Sequence, residues 1–216
     1  LYTHYFDNRL SAPPEKIDLD EAQEKASSQG GSVCIFGHFN REKGYGYGDY
    51  YPNVSQIVTI VRDPFQHHLS NYYFAKRKVA SGRNELPLAK LIVEQNLSIE
   101  EYLHGHRSYL LSFFPAELNE RNYREKLREE YVFIGITEHL SDSIYSLAGL
   151  LGKPHLRVPR ENVSSRSDEA AIAHYRRVFE VENEFVTEVF GECCRIFKER
   201  KRRSFLERML SKISKG

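Results

Sequence analysis

The chain has 216 residues, 40% of them apolar, which suits one domain with a core of useful size. Its 31 basic and 30 acidic residues leave a net charge of +1, so whole-molecule electrostatics single out no polyanionic partner, and nucleic acid is not expected. No stretch approaches the roughly 18 consecutive apolar residues of a membrane span, and none reads as a signal peptide.

Cys34, Cys193 and Cys194 form neither a metal-ligand spacing nor a disulfide framework, which points to a reducing compartment. A cytoplasmic location is therefore expected, with the Golgi lumen as the alternative if an upstream anchor has been removed. Asn53, Asn96 and Asn162 each open an Asn-Val-Ser or Asn-Leu-Ser triplet of the glycosylation form, a pattern that also arises by chance.

In chain order, "LSAPPEK" at 10–16 reads as a loop, and "SVCIF" at 32–36 as the first strand. "REKGYGYGDYYPN" at 41–53 is a second loop, rich enough in Gly and Tyr to form a mobile edge of an active site. "QIVTIV" at 56–61 is the second strand, followed by Asp63 as a helix cap with Pro64 at the first helical position. Ser98 with Glu101 fits a capping box. "YVFIGI" at 131–136 is the third strand, and Ser141 then caps a helix that Gly152 stops. From about 167 to the C-terminus the pattern is helical almost throughout, with Phe179, Phe185, Val189, Phe190, Phe197 and Phe205 forming an apolar stripe.

The three strand runs are continuously apolar, the pattern of strands buried on both faces. Strands alternating with helices predict an α/β layered fold, a parallel sheet flanked by helices, over a single domain of residues 1–216 whose part from 167 to 216 is helical. In such sheets ligands bind beyond the carboxyl ends of the strands. The residues at those ends are Gly37-His38, Arg62-Asp63-Pro64 and Thr137-Glu138. Arg62 stands at the mouth of a helix whose first turn would offer free N–H groups, and a guanidinium there suits a phosphate. The structural alternative is an Arg62 paired with a carboxylate beside an ordinary helix start.

The stretch "IVTIVRDPFQHHLSNYYF" resembles the 3′-phosphate-binding segment of sulfotransferases that use 3′-phosphoadenosine 5′-phosphosulfate (PAPS), most closely carbohydrate sulfotransferases of the heparan sulfate 2-O-sulfotransferase type. Arg62, Asp63, Pro64, Leu69, Ser70, Tyr72 and Tyr73 stand in the register of that pattern. "FGHFN" at 36–40 resembles the family's Gly-His segment, "YVFIGITEHLSDSIYSLAGLLG" at 131–152 its later strand and helix, and "VPRENVS" at 158–164 a following stretch.

The resemblance implies a P-loop-NTPase-like sulfotransferase fold that binds PAPS and needs no metal. It implies Arg62 and Ser70 on the 3′-phosphate, Arg160 and Asn162 as further nucleotide contacts, and His38 as the general base toward an acceptor hydroxyl, expected on a carbohydrate. Arg41 and Lys43 are candidates for orienting an acidic sugar. Phe36 stands where some relatives carry a second histidine, so that partner has no counterpart here.

The family opens with a strand and a Lys-x-Gly-x-Thr/Ser loop that holds the 5′-phosphosulfate. "LYTHYFDNRLSAPPEKIDLD" contains no such loop. The N-terminal strand and P-loop are therefore expected to be missing from this chain, and the natural protein to be longer.

Two other readings stay open. One is a nucleotide- or glycan-binding protein of the same fold that has lost its P-loop. The other is a small-molecule kinase, disfavoured because no acidic residue occupies a magnesium position, Asp63 being used as the cap. His67, His68, His104 and His106 do not form a metal-ligand pattern, because the "QHHLS" pair points to different helix faces. The basic run "KERKRR" at 198–203 reads as a solvated helix face or as a contact for an anionic glycan.

Overall fold

The computed structural model describes residues 2–6, 16–82, 86–154, 157–158 and 169–213. The chain divides into two compact units, Leu1–Ser55 with Tyr109–Asn119, and Gln56–Ser108 with Glu120–Gly216.

In the first unit, strand β1 (Tyr2–Phe6) pairs in parallel with β2 (Val33–Gly37), and helix α1 (Leu19–Ser27) connects them. Asp18 caps α1 by accepting from the backbone N–H groups of Asp20 and Glu21 at 2.9 and 3.1 Å, and Ala22 and Ala26 form its buried face. β1 is a strand that the sequence reading did not mark. "YTHYF" has the β propensity of aromatic and β-branched residues but is interrupted by Thr3 and His4, unlike the aliphatic runs that mark the other strands. The segment 41–53 is also more built than an open loop: a 3₁₀ turn at Arg41–Lys43 ends on Gly44 at φ +74°, and a one-turn helix α2 (Tyr47–Tyr50) follows.

In the second unit, β3 (Ile57–Val61) pairs in parallel with β4 (Tyr131–Ile136), and between them lie α3 (Pro64–Ala80), α4 (Pro87–Glu94), α5 (Ile99–Gly105) and α6 (Tyr123–Glu129). After β4 come α7 (Leu140–Leu150), α8 (Glu169–Glu182) and α9 (Glu184–Ile213). The molecule is thus α/β with parallel strand pairs flanked by helices.

Double-sided burial holds for Phe133–Ile136 of β4 and fails for β3, where Val58 and Ile60 are 43% and 36% exposed while Val61 is buried. A continuous apolar run cannot distinguish these cases, because exposure depends on what lies over each face.

The start and stop signals fare unevenly. Ser98 and Glu101 form the capping box, the Glu101 N–H donating to Ser98 Oγ at 3.2 Å and the Ser98 N–H to Glu101 Oε2 at 2.8 Å. Ser141 is not a cap. A 3₁₀ turn at Thr137–His139 runs directly into α7, so His139 occupies the cap position without a side-chain bond. The serine that matters is Ser143, fully buried, whose Oγ accepts from Ile136 N at 2.8 Å and donates to Ile136 O at 3.0 Å. Gly152 does stop the helix, at φ +61°, with Lys153 N closing on Ala148 O at 2.8 Å.

A packed core joins α3, α4, α5 and α8 through Phe65, Leu69, Tyr72, Ala89, Leu103 and Phe179. A second buried stripe on α9, Val186, Val189, Cys193, Ile196 and Phe197, recurs at intervals of three and four residues where the helix packs on β4 and α6. Phe179, Val189 and Phe197 of the predicted stripe are therefore core, Phe185 and Phe190 are half-buried, and the Phe205 side chain lies outside the described residues. Asn183 separates α8 from α9: buried, it accepts from Ser108 N at 2.8 Å and donates to Phe179 O at 3.1 Å.

The sheet tolerates little added volume at Gly135. A methyl there would sit 3.0 Å from Phe133 Cε1 and Ser143 Cβ and 3.1 Å from Ile60 Cγ1. Gly135→Ala is expected to cost about 1–3 kcal/mol of stability through overpacking. An unchanged urea midpoint would show that this seam yields freely.

Candidate functional site

β3 ends on buried Val61, and the next residue, Arg62, is half-buried with no ion-pair partner among the described residues. Asp63 follows as the cap of α3. Its Oδ1 accepts from Phe65 N at 2.9 Å and Gln66 N at 3.2 Å, and its carbonyl accepts from His67 N at 2.9 Å. Pro64 has no N–H to offer. The first-turn donors are thus consumed by Asp63 itself, which corrects the expectation of free N–H groups awaiting an anion.

Two further bonds fix the cap. Arg176 of α8 donates to Asp63 Oδ2 at 2.7 Å and lies 4.6 Å from the Phe65 ring centroid, while Asp63 N donates to Glu138 Oε1 at 3.1 Å. With the helix end neutralised by its own carboxylate, an anion there would have to be held by side chains.

Those side chains lie along one flank of α3. Phe65, His68, Leu69, Tyr72 and Ala75 face the core, leaving Gln66, His67, Ser70 and Asn71 half-buried on the other side. Burial, and then the charge of Arg62, hold the His67 imidazole below its ordinary pKa, so it is neutral at neutral pH and places the guanidinium beside this flank. His67 Nε2 lies 3.5 Å from Asn71 Nδ2. Ser70 is one helical turn from His67 on the same flank. Of the paired tyrosines, Tyr72 belongs to the core, donating to Leu97 O at 2.9 Å, whereas Tyr73 is 36% exposed.

The first unit holds the other candidates. β2 delivers His38 to the surface just past its carboxyl end. The backbone beyond it is pinned by Asn40, which sequence reasoning missed. Only 6% exposed, Asn40 exchanges backbone bonds with Tyr45 at 2.8 and 2.9 Å, accepts from Lys43 N at 3.1 Å and donates to Ser112 Oγ at 2.9 Å. An Asn preceding a turn is a recognisable capping signal, but its partner Ser112 is 72 residues away. Phe39 packs edge-on against Tyr51 at 6.2 Å. Arg41 is half-buried, its Nε buried without a hydrogen-bond partner, and Lys43 is exposed. Arg160 and Asn162 lie outside the described residues.

At the carboxyl end of β4, a cavity of about 170 Å³ is walled by Ile136, Phe190 and Phe197 and rimmed by Glu138, His139, Cys194 and Lys198. It is near the size of a benzene cavity and well below the roughly 300 Å³ at which small-molecule sites begin, so it does not accommodate a nucleotide. Burial raises the pKa of the Cys194 thiol, Lys198 opposes the rise, and Glu138 and Asp63 reinforce it, which keeps the sulfur protonated rather than nucleophilic.

The basic run is partly engaged within the chain. Arg200 donates to the carbonyls of Val132 and Tyr131 at 2.7 and 2.8 Å, Lys201 bonds Asp142 at 2.6 Å, and Glu199 pairs with Arg128 at 2.8 Å. The histidines are dispersed likewise, His104 lying 3.3 Å from Glu182 and His68 buried in the core. Among the described residues no group of three His, Cys, Asp or Glu side chains could hold a metal ion, and no helix is long and apolar enough to cross a membrane.

No family model matches the chain, and no curated protein or solved structure matches it either.

Proposed function

We propose that the chain is a sulfotransferase that moves a sulfuryl group from PAPS to a hydroxyl, with a carbohydrate as the acceptor class. The observation that carries the reading is Arg62, set at the carboxyl end of a parallel strand with no ion-pair partner among the described residues, followed by a helix whose accessible flank presents His67 and Ser70. A half-buried cation left unpaired beside hydroxyl, amide and neutral imidazole groups is suited to a phosphate.

In the proposed reaction the acceptor oxygen forms a bond to sulfur as the bond from sulfur to the bridging phosphate oxygen breaks. The acceptor proton passes to His38, and adenosine 3′,5′-bisphosphate leaves, its 3′-phosphate held by Arg62 and Ser70. Arg160 and Asn162 are proposed as further nucleotide contacts, and Arg41 and Lys43 as contacts to an acidic acceptor. An imidazole suits the base role because a neutral ring nitrogen can accept the hydroxyl proton.

The second reading is a nucleotide- or glycan-binding protein without catalysis. It is favoured by the absence of any glycine before Gly30, so that the segment joining β1 to α1 has no phosphate-cradling Gly-rich loop.

The test is thermal stabilisation by adenosine 3′,5′-bisphosphate with adenosine 5′-monophosphate as the control. At about 100 times Kd the bisphosphate is expected to add about 2.7 kcal/mol, or roughly 5–10 °C in Tm. Equal shifts from both nucleotides, or none from either, would remove the 3′-phosphate assignment. Sulfate transfer to hydroxylated acceptors, lost on His38→Ala with the bisphosphate shift retained, separates the enzyme from the binder.

A further inference from the structure

His68 is one of the most deeply buried polar side chains, 2% exposed, on the core face of α3. Its ring stacks on Tyr102 of α5 at 4.4 Å and 14°, and lies 5.4 Å from Phe179 of α8. Tyr102 contacts a second imidazole, His106, at 4.9 Å. Among the described residues neither ring nitrogen of His68 has a hydrogen-bond partner, and Nδ1 of His106 is buried and unpartnered as well. A core position of this kind normally carries a phenyl ring or an aliphatic chain, and an imidazole with both nitrogens unmatched costs stability that such a residue would not.

We infer that the His68–Tyr102–His106 stack is a pH-sensitive latch: a neutral imidazole at position 68 holds α3 against α5 and α8, and its protonation releases them. The neutral ring packs as an aromatic spacer. The imidazolium carries two N–H donors and a charge into a site where, among the described residues, the His106 backbone is the one acceptor nearby and it misses hydrogen-bond geometry. It reaches water only by withdrawing from Tyr102 and Phe179, which separates the helices that those rings join.

The titratable groups facing it are His67 from α3 itself, Tyr102 from α5, and His106 from the residue that ends α5; α8 presents the Phe179 ring, and no carboxylate acts on His68. Burial lowers the His68 pKa from 6.5 to about 4. The His106 backbone opposes that fall without meeting hydrogen-bond geometry, and the His67 and His106 imidazoles add to it. The unfolded chain therefore holds this proton more tightly than the folded one. Stability is full above about 6.5 and is lost as the pH falls from there toward 4. The released helix carries Ser70 and follows Arg62 by two residues, so acidification would open the flank described above. That consequence rests on the nucleotide reading, whereas the latch does not.

The test compares the intact chain with His68→Phe and His68→Leu by urea unfolding at pH 7 and pH 5, together with amide hydrogen exchange in α3 and α5. The wild-type folding equilibrium constant is expected to fall roughly 20-fold more than that of either variant between the two pH values. Faster exchange at pH 5, after correction for intrinsic rates, is expected in α3 and α5 of the wild type alone. Parallel pH dependence in all three proteins overturns the latch, and so does acid-induced exchange that bypasses these helices. If neither variant folds, the His68 Cε1 proton followed by NMR decides: a midpoint near 6.5 overturns the proposal, and one near 4 supports it.

Discussion

Arg62→Ala is expected to erase most of the stabilisation that adenosine 3′,5′-bisphosphate gives the intact protein while leaving the free protein nearly as stable as before. Charge-assisted hydrogen bonds to a phosphate contribute about 1.5–3 kcal/mol each, and a guanidinium can make two. Losing both would weaken binding by at least about 100-fold, the conservative end of that range. A nucleotide concentration of 100 Kd for the wild type then becomes about one Kd for the variant, and the stabilisation drops from about 2.7 to about 0.4 kcal/mol.

The free protein should change little, because Arg62 is half-buried and contributes to no ion pair among the described residues. Ser70→Ala removes one neutral donor and should weaken binding about 10-fold. Asp63→Ala is the contrasting variant. It strips the α3 cap and leaves Arg176 without one of its carboxylates, so it should lower the stability of the free protein by at least 1 kcal/mol. If Arg62→Ala destabilises the free protein as much as Asp63→Ala does, Arg62 is part of the scaffold, and the proposed grip fails with it.

The segment from β3 into α3 was legible because every cue in it is local: an unbroken aliphatic run, then Asp-Pro in cap and first-turn positions. What Asp63 does with its second oxygen was not legible, since Arg176 is 113 residues away. That distant contact changes the chemistry of the site. It makes Asp63 a fully engaged cap, so in the proposed reading anion recognition rests on Arg62 and the flank rather than on the helix end.

The "QHHLS" pair shows the same division. Helical geometry places His67 and His68 on different faces, but only the packing of α5 and α8 makes one accessible and the other 2% exposed. Ser141 is not the cap because the backbone enters α7 through a 3₁₀ turn, which moves the helix start to His139 without any strong sequence mark. β1 became visible only through its register with β2, from Tyr2 opposite Val33 to Phe6 opposite Gly37.

Phe179→Ala should produce the largest stability loss, about 3–5 kcal/mol, against a total of roughly 5–15 for a typical domain. Phe179 is fully buried, its ring 5.8 Å from Phe65 and 5.4 Å from His68, so it is the contact of α8 with two core positions of α3. Its removal leaves a void bordered by the start of α3, the helix that carries Ser70 and follows Arg62. The expected Tm loss is roughly 6–20 °C. Phe179→Leu keeps most of the volume and should cost less than about 1.5 kcal/mol. The effect on His68 separates a tight core from a loose one. A void that admits water beside the imidazole would supply the acceptor that it lacks and bring its titration back toward 6.5, so the acid sensitivity of Phe179→Ala should be smaller than that of the wild type even as its stability at pH 7 falls. A loss under 1 kcal/mol with unchanged pH dependence would mean that α8 does not clamp α3 at Phe179, and the latch would have lost one of its two walls.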